Sequence, residues 1–314
     1  MQQIDRALSN GVRVSAWSFD ELYSRDGKFL DGLEARRQMF VGEIQTNTEG
    51  WVRKPATRRK TLKRRGKGGR RKKSPRPAWP SSKVCDLLTW SPVFREQSWQ
   101  PYRIKDTDKG PEVWEVKWAV FWRKDPAGLP TRRHCLIVAR NVLTEELKYF
   151  LSNRAPGERN PVTGKCVTLR WLLRVAFGRC SIESCFREGK EELGLDHYEC
   201  RGWRCVHRHY YVTQLSHLFC ARVRQQYDQA RGEAVDRVTV EQVRSAMDVW
   251  LAAADLPPRC RRQRFQEELD KQQYHQRRNQ QARQSHTTTR IAALAALGID
   301  VNRIKSCVPD IDQP

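Results

Sequence analysis

None of the ten cysteines falls in a Cys-x-x-Cys pair, and no histidine stands at zinc-finger spacing from one. That excludes the common zinc knuckles, whose tetrahedral ion needs paired ligands presented by a tight turn. Cys180, Cys185, Cys200 and Cys205, with His197, His207 and His209, make one stretch dense in such side chains. Its cysteine spacings sit in helix-like sequence, so reduced, mostly structural thiols are the expectation. Long apolar runs are also lacking. The longest, residues 291–299 (Ile-Ala-Ala-Leu-Ala-Ala-Leu-Gly-Ile), falls far short of the roughly 20 residues a membrane-crossing helix needs. The opening Met-Gln-Gln-Ile-Asp-Arg has no basic region followed by an apolar one, so no export signal is read and a cytoplasmic protein is expected. Acid is scarce relative to base: 36 Asp and Glu stand against 59 Lys and Arg, a net charge of +23.

That excess exceeds what solubility asks for. Its natural partner is a polyanion, because Lys and Arg that neutralise phosphates release condensed counterions. A phosphate-bearing polyanion is therefore expected, with a membrane surface the competing one. A chain of 314 residues, 39% hydrophobic and with 11 Trp, can also bury a sizeable core.

Residues 1–52 read as the start of an α/β unit. Residues 12–19 alternate as a strand ending at Asp20, residues 27–37 carry apolar side chains at helical spacing, and residues 39–44 read as a second strand. That order suggests parallel neighbours in one sheet. Residues 53–80 form a basic arm, with fourteen Lys and Arg between Arg53 and Arg76 and almost nothing apolar. Such a segment packs no core and is expected to be flexible, as a solvated linker or as an arm that tracks DNA. Residues 81–155 are β-rich. Trp114, Val116, Trp118, Val120 and Trp122 alternate along one strand, residues 125–130 turn, and residues 134–140 return. A Trp stripe at strand period reads as core before it reads as a base-stacking platform. From residue 160 the chain reads as helical, with candidates at 167–195, 203–227, 238–254 and 261–284, and residues 228–314 as a polar, basic tail.

The stretch from Arg179 to Tyr198 is dense in charge at helical spacing. On a helix, residues four or seven apart share a face, so Arg179, Glu183 and Lys190 form one stripe. A carboxylate flanked by two cations suits metal binding with phosphates gripped alongside. An exposed helix with ordinary i,i+4 ion pairs explains the same spacing.

This stretch resembles the glutamate-bearing helix of bacterial insertion-sequence DDE transposases, in the group with a Y-x2-R-x3-E-x6-K signature. Arg179, Glu183 and Lys190 stand at its R, E and K, while Ala176 occupies the tyrosine position. Gly194-Leu-Asp-His-Tyr-Glu199, Arg201-Gly-Trp203 and His207-Arg-His209 continue the likeness, as does Trp17-Ser-Phe-Asp20-Glu-Leu-Tyr23 near the start, which is similar to the family's second acidic motif. The resemblance implies an α/β fold: an incomplete RNase H-like domain interrupted by a β-rich insertion and followed by C-terminal helices. Residues 1–52 and 160–227 would then be the two parts of that core. It also implies Asp20 and Glu183 as catalytic ligands of Mg2+ or Mn2+, and Arg179, Lys190 and Tyr23 as DNA contacts. The implied reaction is metal-dependent cleavage and strand transfer at transposon ends, by a possible homodimer. Two divalent ions about 3.5–4 Å apart take three carboxylates, and the family's first aspartate has no match here, since only Asp5 precedes Asp20. The chain therefore reads as an N-terminally shortened transposase, and as inactive on its own. The alternatives are a DNA-binding remnant or inhibitor of the full-length enzyme, and a basic RNA- or ribosome-associated protein.

Overall fold

The computed structural model describes residues 1–58, 75–231 and 238–308. Most of the basic arm, residues 59–74, lies outside them. The fold is mixed α/β, built on a curled mixed sheet. The chain forms two compact units, residues 1–179 with 286–314, and residues 180–285.

The first unit opens with α1 (Gln2–Ser9), β1 (Trp17–Phe19), α2 (Glu21–Ser24), α3 (Gly27–Ala35) and β2 (Phe40–Glu43). β1 and β2 pair in parallel, as the strand–helix–strand pattern predicts, with Phe19 opposite Gly42. Only three residues of the expected strand over 12–19 pair with a neighbour. Next come β3 (Glu49–Trp51), the short pair β4 (Thr57–Arg58) and β5 (Arg76–Pro77), β6 (Ser82–Lys83), α4 (Val84–Trp90) and α5 (Pro92–Arg95). The described end of the expected flexible arm is fixed, because the Trp51 indole donates to the carbonyls of Trp79 and Pro80.

Four longer strands follow: β7 (Gln100–Thr107), β8 (Gly110–Lys124), β9 (Pro130–Asn141) and β10 (Leu147–Ser152). The turn and returning strand fall where the sequence places them. These strands are not set apart as an insertion. β10 pairs antiparallel with β2 as well as with β9, so they continue the sheet that β1 and β2 begin. The Trp stripe is divided: Trp114 and Val116 are buried, whereas Val120 and Trp122 are half-buried. The intervening Ala119 and Phe121 are buried too, because both faces of the sheet are covered. One core packs α6 (Leu169–Gly178) against Trp114, Ile137 and Phe150, with the Phe177 ring 4.9 Å from that of Trp114. The other packs α3, α4 and α5 against Phe121, Leu136 and Leu151.

Gly42 is where these demands meet. A Cβ there would lie 2.1 Å from the Phe19 ring, so the strand has glycine where the neighbouring side chain crosses it. Gly42→Ala is expected to cost about 1–3 kcal/mol by overpacking. A urea midpoint indistinguishable from wild type would refute this.

The second unit holds α7 (Cys180–Leu193), α8 (Trp203–Arg231) and α9 (Val240–Ala252). α10 (Pro258–Ala296) has residues in both units, and β11 (Lys305–Ser306) belongs to the first. Cys220, Val240 and Val243 are the buried centre of the second unit. Thr239 starts α9 with a reciprocal capping box to Gln242. The expected polar, basic tail therefore also buries apolar side chains. In the first unit, Leu294 is fully buried beside Val113 and Val301, and β11 pairs in parallel with β7. The apolar run over 291–299 supplies that anchor. No helix among the described residues is long and apolar enough to cross a membrane.

Candidate active site

Asp20 follows the last residue of β1 and caps α2. Its Oδ1 accepts the backbone N–H groups of Leu22 at 3.1 Å and Tyr23 at 3.4 Å, which explains the residue type locally. Tyr23 is 54% exposed, its ring 5.5 Å from that of Phe29 on α3. Asp20 Oδ2 faces Arg179, whose Nη1 lies 4.0 Å away.

The same guanidinium meets a carboxylate that the sequence reading passed over: Arg179 Nη2 lies 3.6 Å from Glu43 Oε2. Because Phe19 pairs with Gly42, the next residues, Asp20 and Glu43, leave the C-terminal ends of two adjacent parallel strands side by side. Like charges at neighbouring positions repel, and Arg179 offsets that repulsion. Lys148 Nζ, 4.0 Å from Glu43 Oε1, adds a second cation. At these separations the contacts are electrostatic rather than hydrogen-bonded. The signal for Glu43 was present in the two strand patterns, but it needed the parallel register to be read.

The single helix expected over 167–195 is two helices. α6 ends at Gly178, Arg179 is its C-cap, and α7 begins at Cys180. Gly178 is a poor helix former at the break. Arg179 thus belongs to the first unit with Asp20 and Tyr23, and Glu183 and Lys190 to the second. Glu183 lies in the first turn of α7 and Lys190 in the last; both are exposed. Seven residues apart, they keep the shared helix face the spacing predicts. Ala176 is buried in the core of the first unit.

The motif residues after α7 brace one another. His209 Nε2 lies 2.8 Å from the Gly194 carbonyl, the Tyr198 ring is tilted against that of His209 at 5.9 Å, and the Trp203 and His207 rings are 4.0 Å apart. Gly194 takes φ +66°, the left-handed conformation that ends many helices.

Carboxylate oxygens are the donors Mg2+ and Mn2+ take, so Asp20 and Glu183 fit such an ion in donor chemistry. Among the described residues, no group of three or more His, Cys, Asp or Glu is placed to hold a metal ion. No protein-family model matches the chain, and no curated protein matches it at a significant level.

Proposed function

We propose that this chain is a DDE transposase relative that binds double-stranded DNA, with an incomplete RNase H-like core. The motif likeness gives Asp20 and Glu183 as Mg2+ or Mn2+ ligands, Arg179 and Lys190 as contacts to backbone phosphates, and Tyr23 as a further DNA contact. The observation that carries the reading is Arg179 beside Asp20 at 4.0 Å. The motif likeness assigns those two residues to one site from distant parts of the sequence. The parallel β1–β2 pair with Asp20 at its C-terminal end and the charge of +23 support it further.

When bound, the metal stabilises the oxygens exchanged at phosphorus. The residues of this chain prepare the ground. Two backbone amides hold Asp20 Oδ1, and Oδ2 is left facing Arg179. Arg179 offers a planar fork suited to a phosphate. Backbone contacts of this kind give salt-dependent affinity without sequence preference. Two family-matched carboxylates do not complete a two-ion set, so these residues are expected to bind DNA without cutting it.

Supercoiled plasmid with Mg2+ or Mn2+ tests both parts. The protein is expected to retard the plasmid in a gel at low salt and to leave it unnicked, as is Glu183→Ala. Failure to retard it removes the DNA reading. Nicking that Glu183→Ala abolishes removes the inactive reading and restores the catalytic one.

A further inference from the structure

The second unit carries a constellation that the DNA reading does not use. Cys185 and Glu188, three residues apart on α7, face the same way, and His217 on α8 stands opposite them. Cys185 Sγ lies 3.4 Å from His217 Nδ1, and His217 Nε2 lies 3.2 Å from Glu188 Oε2. The two contacts settle the roles. A carboxylate accepts, so Nε2 carries the hydrogen, and the lone pair on Nδ1 is left facing the sulfur. A thiol, a base and a carboxylate that orients the base are the parts of an activated sulfur nucleophile. The His217 side chain is only 14% exposed, whereas Cys185 is partly open to solvent, so a small reagent reaches the sulfur while the base stays sheltered.

The other cysteines sharpen the contrast. Among the described residues, no other sulfur has a histidine nitrogen as its partner. Cys166, Cys205 and Cys260 are exposed. Cys85 lies 3.6 Å from the Asp86 carboxylate, which opposes a developing negative charge on sulfur. Cys135 and Cys307 are buried, and burial pushes both thiols up, Cys307 to about 11.

We propose that Cys185, His217 and Glu188 form a nucleophilic thiol site, open to covalent modification by small soft electrophiles. With iodoacetamide as the probe, the Sγ–C bond forms as the C–I bond breaks. Iodide leaves with the bonding pair, and the thiol proton passes to His217 Nδ1.

Limiting iodoacetamide on the intact protein, with each cysteine followed by peptide mass spectrometry, tests the site. Cys185 is expected to react at least about tenfold faster than Cys260 in the same molecules. His217→Asn is expected to bring it down to the Cys260 rate. Glu188→Gln, which keeps side-chain size and therefore helix packing, is expected to slow it several-fold. A Cys185 rate no higher than that of Cys260 overturns the proposal, and so does an unchanged rate in either variant. Cys260 serves as the internal reference if a variant loosens the fold.

Discussion

Raising sodium chloride from about 50 to about 200 mM is expected to weaken binding to duplex DNA by about a thousandfold or more, the loss that six to ten phosphate contacts give. The expectation rests on the size and placement of the positive charge. The chain carries 59 Lys and Arg against 36 Asp and Glu, and within the second unit Arg259, Arg262, Arg264, Arg277 and Arg278 all stand exposed on α10. Fluorescence anisotropy of a labelled duplex across a salt series reads the slope of log affinity against log salt. We expect a slope steeper than about −5 that changes little with base sequence, as backbone contacts require. A slope shallower than about −2 would mean that phosphate neutralisation is not the main source of affinity. Serine in place of the fourteen basic residues between Arg53 and Arg76 then separates the two roles left open for that segment. A DNA-tracking arm flattens the slope when it is neutralised, and a linker leaves it unchanged.

The elements that were legible in the sequence are those whose pattern is local. Alternation gave the β8–β9 hairpin, and helical spacing gave α3 and α9 to within a few residues. Local patterns also placed Asp20 at a strand end and Glu183 with Lys190 on one helix face. The features that escaped depend on partners distant in the chain. Phe121 and Ala119 interrupt no pattern, yet they are buried because α3, α4 and α5 cover the second face of the sheet. Leu294 sits in a helix that is polar for most of its length, and only Val113 and Val301 make its burial intelligible. The break at Arg179 left the spacing of the signature intact while dividing its residues between two helices. Glu43 became visible only through the parallel register with Asp20. His217, opposite Cys185, is one of several histidines on α8, and nothing in the spacing distinguishes it from the rest.

Glu34→Ala is expected to destabilise the first unit by about 2–4 kcal/mol, the cost of leaving buried partners without their counterpart. Glu34 on α3 is 10% exposed in its side chain, and its Oε1 lies 3.0 Å from Nε2 of His134, which is 2% exposed on β9. His134 Nδ1 is 2.9 Å from the Arg132 carbonyl, and Arg132 Nη1 lies 3.6 Å from Glu34 Oε2. Burial alone would push the Glu34 carboxyl up. The hydrogen bond from His134, with the charges of His134, Arg132 and Arg154, outweighs burial and holds the carboxyl below its ordinary value of 4.5. The sign of the pH effect follows. A carboxyl whose folded value is depressed adds stability that is fully present above its unfolded value and is lost as pH falls through the folded one. Wild type should therefore lose stability below about pH 4.5 more steeply than Glu34→Gln, which keeps the shape of the side chain but cannot titrate. Urea midpoints at intervals from pH 7 to pH 3 measure both slopes. Parallel curves would show that Glu34 holds α3 to the sheet by shape alone and that its charge contributes nothing.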